Sequence, residues 1–389
     1  MNFKGISYYL SLFCFPISIL SFINILYSSY FDYFLSINAY LITLFISLVI
    51  GSALLFISKR SEKKINFIEQ LLLIILVYLL ISIFIAIPFY LSNYQVTFLN
   101  SLFEAISGLT GTGFSIFKNI KYLDPTLILW RSSSQWIGGL FFLFFLVLIF
   151  SNKQFRYKMN DLTYSGDARV NSESNIKGLL LKIFIFYSSL SFIIFLLLNI
   201  SDVRMFNSLN LSMSLVSAGG FMPTDSLGKI IRSNPQKLIF ILSLMVSMLN
   251  FFLIFNIFQK KVIIREHKED FYLVLLSIFF ILLILFNDYS GLNIIISVLS
   301  SLSNSGLSLI NPDNNLGLYF ILITVVGGSL ISNSSGIKFT RIYILIKTAS
   351  LEINKLISPN SIVNKNLFST EKKITEENIK ISFLIFISF

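Results

Sequence analysis

Three stretches of this chain follow one pattern, and each lies between apolar runs long enough to cross a bilayer. They are residues 100–115 (NSLFEAISGLTGTGFS), 207–222 (NSLNLSMSLVSAGGFM) and 293–308 (NIIISVLSSLSNSGLS). In every copy an Asn precedes a Gly by 13 positions: Asn100 and Gly113, Asn207 and Gly220, Asn293 and Gly306. The apolar part of each copy is shorter than the roughly 20 residues that a membrane-crossing helix needs. It runs out in small and polar residues around the glycine, TGTGF, SAGGF and SNSGL. Irregular backbone at membrane depth is tolerated only where protein buries it or where it lines a watery cavity. An ion filter is such a place, because inward carbonyl oxygens can replace a cation's hydration shell. Glycine opens the dihedrals such a loop needs, and the C-terminal end of a short helix carries partial negative charge. One such string by itself would read as a Ser/Gly-rich loop between ordinary helices. Three copies at one spacing predict a half-spanning pore helix followed by a filter loop, three times over.

The surroundings fit that reading. Of 389 residues 55% are hydrophobic and only 13% charged, with mean hydropathy +0.80. So apolar a chain cannot cover itself with a solvated surface, and it reads as a polytopic membrane protein embedded in lipid. The net charge of +11 does not point to nucleic acid, because the basic residues sit in short loops between apolar runs. These runs fall near 6–28, 37–57, 67–91, 126–150, 178–200, 237–258, 271–287 and 316–348. Lys59, Arg60, Lys63 and Lys64 follow the second run, and basic residues recur over 153–182, over 260–268 and at Lys355, Lys365, Lys372 and Lys373. The opposite loops hold Lys118, Lys121, Arg204, Lys229, Arg232 and Lys237. The bias predicts a cytoplasmic N-terminus, strict alternation and all three filter-like loops on the outer side. The first run, with no small-residue cleavage site after it, is expected to be retained as a helix.

Enzyme chemistry finds little to work with. The sole cysteine, Cys14, lies in the first apolar run and the sole histidine, His267, in a basic loop. That leaves no disulfide, no thiolate cluster and no histidine-based triad. No nucleotide-binding glycine loop is visible, and no organic cofactor is expected.

The expected fold is all-α and polytopic: two leading helices, three helix–pore helix–filter–helix repeats, and the start of a fourth. The boundaries are 1–65 for the leading helices, 66–158, 159–265 and 266–350 for the repeats, 351–380 for a cytoplasmic linker and 381–389 for the fourth repeat's beginning. Pro125 opens a helix, as proline at a first turn can, while Pro88 lies near the end of one. The last long apolar segment is interrupted by GGSLISNSSG at 327–336. This reads either as a kinked helix or as an intramembrane loop acting as a gate, with Gly327, Gly328, Ser334, Ser335 and Gly336 in it. Lys338 and Arg341 follow and are expected to face the cytoplasmic mouth. Glu104 in the first pore helix and Arg131 in the next helix either brace the filter as a buried pair or reach water at the outer rim.

Several blocks carry a family resemblance. FEAISGLTGTGFS (103–115), LWRSSSQWIGGL (129–140), SAGGFMPTDS (217–226), GGSLISNSSGIKFTRI (327–342) and LEINKLISPNSIV (351–363) are similar to the TrkH-type membrane subunit of bacterial Trk/Ktr potassium-uptake systems. The resemblance covers essentially the whole chain. It implies K⁺ as the transported ion, coordinated by backbone carbonyls of Thr110, Gly111, Thr112 and Gly113, of Ser217, Ala218, Gly219 and Gly220, and of Ser303, Asn304, Ser305 and Gly306. It implies a homodimer in the bacterial inner membrane, gated by a ring-forming, nucleotide-binding subunit on the cytoplasmic face. The two leading helices match the Trk branch.

The sequence departs from the family in three places. The family has four repeats; here ISFLIFISF follows Lys380, and nine apolar residues are too few to cross the bilayer. Either the sequence is therefore a piece, or a separate chain supplies the fourth repeat. SNSSG replaces a more glycine-rich gating string, and SNSGL is the most divergent filter. The expected function is K⁺ uptake driven by the membrane potential. The rivals are a Na⁺-permeable or Na⁺-coupled relative and a non-conducting membrane scaffold.

Overall fold

A computed structural model describes residues 2–31, 37–59, 65–151, 176–258, 268–285, 291–310, 314–358, 365–369 and 373–389. His267, Arg60, Lys63, Lys64, Lys153, Lys260 and Lys372 lie outside them. The described residues form α-helices joined by irregular segments, with a single isolated bridge between Asn366 and Lys373. The protein is a polytopic, all-α membrane protein. It divides into two compact units that part between Arg232 and Ser233, inside the second repeat.

The first unit contains α1 (Phe3–Tyr30), α2 (Ile37–Ile57), α3 (Phe67–Tyr90), α4 (Phe98–Thr110), α5 (Pro125–Ser151), α6 (Ile176–Ile200) and α7 (Met205–Val216). Asn2 starts α1 by accepting the Gly5 N–H at 2.9 Å. The two oxygens of Glu69 accept the N–H groups of Asn66 at 2.8 Å and Asn2 at 2.6 Å, fixing the starts of α3 and α1 together. The apolar core lies among α1, α3 and α5, where Phe13 meets Phe141 edge-on at 4.8 Å and the Trp130 indole donates to the Ile85 carbonyl at 3.0 Å. Pro125 is the first residue of α5, as expected.

The second unit contains α8 (Asn234–Met248), α9 (Phe251–Phe258), α10 (Lys268–Ile284), α11 (Gly291–Ser303), α12 (Asn314–Val326), α13 (Phe339–Ile357) and α14 (Glu376–Ser388). Among the described residues five helices are long and apolar enough to span a membrane: α1, α2, α3, α5 and α6.

One expectation needs correcting. The apolar run 237–258 is not one helix: it turns through 112° between α8 and α9. Leu249 is extended (φ −79°, ψ 164°), and the Asn250 side chain accepts the Phe252 N–H at 2.9 Å, which starts a new helix. The Asn250 N–H in turn donates to Asp270 at the head of α10, at 2.9 Å.

Candidate ion filter and gating loop

The three half-length helices α4, α7 and α11 end in the same way. The Gly111 N–H donates to Gly108 O at 3.0 Å and the Thr112 N–H to Ser107 O at 3.0 Å. In the second copy Ala218 donates to Leu215 O at 3.1 Å and Gly219 to Ser214 O at 2.8 Å; in the third, Asn304 donates to Ser301 O at 3.2 Å and Ser305 to Ser300 O at 3.1 Å. This paired pattern is a Schellman cap, which requires a left-handed residue just past the helix. That residue is Gly111 (φ +70°), Ala218 (φ +55°) and Asn304 (φ +57°).

The cap decides which way the loop faces. Its N–H groups turn back into the helix end, and its carbonyls are left over. Among the described residues no donor takes the carbonyl oxygens of residues 110–113 or 303–306. In the second loop only Gly219 O is taken, by the Ser214 hydroxyl at 2.9 Å. Unpaired carbonyls grouped at a helix C-terminus make an electronegative surface suited to a dehydrated cation.

The repeat contains a residue that the Asn-to-Gly spacing did not pick out. Ser107, Ser214 and Ser300 each stand seven positions after the repeat's Asn. The Ser107 hydroxyl donates to Phe114 O at 2.5 Å, and the Ser300 hydroxyl lies 3.1 Å from that of Ser305. With the Ser214 bond already given, each serine clasps its own loop from beneath. Asn100, by contrast, takes part through its backbone, whose N–H donates to Thr97 Oγ1 at 3.4 Å.

In the first unit, α5 carries the parts that hold loops one and two in place. Gln135 Oε1 accepts the Ser214 hydroxyl at 3.0 Å and the Phe221 N–H at 3.1 Å. A side chain at Gly138 would run into the Leu109 carbonyl at the end of α4. Trp136 donates to Ser191 Oγ at 2.8 Å, while the Tyr187 hydroxyl donates to the Trp136 carbonyl at 2.9 Å. The two loops then meet backbone to backbone: a Cβ on Gly113, whose φ is +79°, would lie 2.8 Å from Gly220 Cα.

Of the two readings of Glu104 and Arg131, the structure shows the buried pair. Their side chains are 0% and 1% exposed, and Arg131 Nε lies 2.8 Å from Glu104 Oε1. Glu104 also accepts the Ser115 hydroxyl at 3.0 Å and the Ile116 N–H at 2.9 Å. Arg131 Nη2 donates to Ser115 Oγ at 2.9 Å, and its guanidinium carbon sits 4.2 Å from the Phe221 ring centre. One ion pair therefore braces the exits of both loops. Farther along, the Lys121 N–H donates to Asp225 at 3.2 Å, tying the segment after loop one to the segment after loop two. That N–H holds the Asp225 carboxyl below the usual carboxylate range, with partial desolvation opposing it.

In the second unit the interruption after α12 is a non-helical loop rather than a kink. Its neck is closed by two left-handed glycines, Gly327 (φ +68°) and Gly336 (φ +91°): a Cβ on Gly336 would meet Gly327 Cα at 2.9 Å. Inside, Gly328 N–H donates to Ser334 Oγ at 3.1 Å, and Ser332 Oγ donates to Ser329 O at 2.7 Å. Outside, the loop bonds the corner between α8 and α9 in both senses. Ser329 N–H donates to Met248 O at 3.0 Å, and Phe251 N–H to Ile331 O at 3.0 Å. Glu269 accepts the Leu330 N–H at 2.7 Å. The Lys338 ammonium turns back into the loop, and the residue is 8% exposed. Arg341 is half-buried and donates to Ile337 O at 3.2 Å.

Repeated half-length helices ending in carbonyl-rich loops, set among apolar helices, are the arrangement that a pore-loop membrane protein would need. The TrkH family profile, described as cation transport protein, matches residues 36–312, and the chain belongs to that family. It is a family of transport proteins rather than enzymes. Among its relatives is an uncharacterized cation transporter of Methanocaldococcus jannaschii, 25% identical over 79% of this chain and 65% of that one. The Trk system potassium uptake protein TrkG of Escherichia coli K12 is 25% identical over 85% of this chain and 72% of its own length. The chain thus spans about two thirds of the length of these relatives. The crystal structure of the potassium transporter TrkH from Vibrio parahaemolyticus superposes with a TM-score of 0.80 at 19% identity, covering 100% of this chain and 83% of that one. At that identity the likeness is one of fold.

Proposed function

We propose that this chain is a K⁺-uptake subunit of the bacterial cytoplasmic membrane, moving the ion inward down the membrane potential. The supporting observation is the triplicate cap, which among the described residues leaves every backbone carbonyl of the three filter loops except that of Gly219 without a donor. On this reading the carbonyls at 110–113, 217–220 and 303–306 replace water around K⁺, and the loop at 327–336 gates passage. Dehydration by carbonyls needs no organic cofactor. The distribution of basic loops supports an N-terminus in the cytoplasm. Kinship with Trk systems supports a homodimer, a cytoplasmic nucleotide-binding ring as regulator, and a fourth repeat supplied by further sequence or by another chain.

The test is growth of a K⁺-uptake-deficient bacterium at low K⁺, with this chain alone and with any adjoining coding sequence. Gly113→Ser and Gly220→Ser are expected to abolish rescue while the protein still inserts. A side chain at Gly113 meets both a left-handed backbone, which costs about 1–2 kcal/mol, and the Gly220 Cα. Normal growth with both variants would refute the filter assignment. A Na⁺-permeable pore would instead appear as uptake of Na⁺ at a rate comparable to K⁺. No rescue at all by inserted protein would favour a scaffold.

A further inference from the structure

The ammonium of Lys338 is held in an unusual way. It donates to Ser332 O at 3.1 Å, Ser332 Oγ at 3.2 Å and Ser334 Oγ at 3.4 Å, and also to Ser334 O. Among the described residues no carboxylate pairs with it directly. A buried lysine ordinarily requires an anionic partner to offset its lost hydration. Here the Glu269 carboxylate acts on the ammonium through space without touching it, and the direct contacts are four neutral oxygens, two carbonyls and two hydroxyls, folded around one positive centre. Grouped carbonyl and hydroxyl oxygens are the kind of ligand by which proteins hold a dehydrated alkali cation.

The backbone is bent to bring this about. Lys338 has φ +80°, a conformation that costs a residue with a Cβ, and it is the residue just before α13. The cage itself is a closed network. The hydroxyls of Ser332 and Ser334 lie 2.6 Å apart, and the second accepts the Gly328 N–H. Phe339 N–H donates to Gly328 O at 3.1 Å, returning the chain to the loop's own neck.

We propose that the loop contains a monovalent-cation site and that Lys338 occupies it as a tethered surrogate for the transported ion, keeping the loop closed. This rests on the reading of 327–336 as the gate of a K⁺ pathway. Release of the lysine leaves a cage of carbonyl and hydroxyl oxygens that a K⁺ ion can fill. Opening is then an exchange of one cation for another in the same site. Lys338 is a positioning residue, since it touches the loop and not the transported ion.

The test replaces Lys338 with Met, which keeps most of the side chain's length and removes the charge. A reporter thiol is placed at exposed Ser335 (Ser335→Cys), with buried Cys14 replaced by Ala. Labelling by a water-soluble thiol reagent is followed in purified full-length chain, in KCl, RbCl and choline chloride. With Lys338 present, labelling is expected to be slow and independent of the salt. With Lys338→Met it is expected to be about tenfold faster in choline, reflecting the lost charged hydrogen bonds, and to slow again in K⁺ or Rb⁺. Equal rates in all three salts would overturn the cation site and leave Lys338 as a simple pin. No change on substitution would overturn the latch. Rubidium flux into proteoliposomes supplies the second readout, and Lys338→Met is expected to raise it. Absence of flux even from the native chain would count against the transport reading, whereas the labelling result stands without any transport.

Discussion

Ala218 holds the backbone position that Gly111 and Asn304 hold in the other copies, and it is the least suited of the three to a left-handed turn. Ala218→Gly is therefore expected to stabilise the protein by about 0.5–1 kcal/mol, read as a raised thermal midpoint in detergent. The Glu104–Arg131 pair predicts the opposite effect. Glu104→Gln strands a buried guanidinium and should cost about 3–5 kcal/mol, and Arg131→Met made in the same chain should recover part of that loss. If the double variant is no more stable than Glu104→Gln alone, the pair is not what braces the loop exits. At this scale the sequence was only half readable. The Asn and Gly of the repeat stand out because their spacing is shared, yet the structural work falls to Ser107, Ser214 and Ser300. Their spacing is just as regular. Serine is common in these stretches, however, and a letter repeated among its own kind gives little contrast. Gln135 had a better signal, standing alone as an amide in an apolar helix, but nothing local in the sequence says that its partners are Ser214 and Phe221.

The elements were legible where hydropathy and length agree, and misread where a helix breaks without a change of composition. After Lys237 the run 237–258 is largely apolar, interrupted by Asn250 near its middle and Asn256 near its end. The Asn250 side chain starts α9, and its N–H is held by Asp270. Asn250→Ala is expected to lower stability by about 1 kcal/mol through loss of the cap, measured by denaturation in detergent. If that variant is as stable as the native chain, the break does not depend on the cap. The break after α12 was easier to see, because five residues of small or left-handed type cluster there: Gly327, Gly328, Ser334, Ser335 and Gly336. What composition could not convey is that the two breaks bond each other through Met248, Phe251, Ser329 and Ile331.

On the scale of the whole molecule, the triple repeat and the apolar runs were enough to give the architecture. The distant ties had to be seen in three dimensions. Asp225 is an instance: it lies 104 residues from Lys121, whose N–H it accepts. Its folded-state carboxyl titrates below the unfolded range, so its contribution is present above the unfolded pKa and is lost as pH falls through the folded one. Acidification below the ordinary carboxylate range is expected to loosen the segments after loops one and two and to expose them to an acid-active protease. Asp225→Asn should make cleavage there less dependent on pH. The reciprocal bonds between the α8–α9 corner and the loop at 327–336 have a consequence for timing. The amides of Phe251 and Ser329 are each tied to a carbonyl across the break, not to their own helices. Neither can meet solvent until corner and loop come apart, so in deuterated buffer the two protons should exchange with one shared lifetime. Amides in the middle of α8 should hold theirs far longer, and that shared lifetime would report how often the loop lets go of the corner.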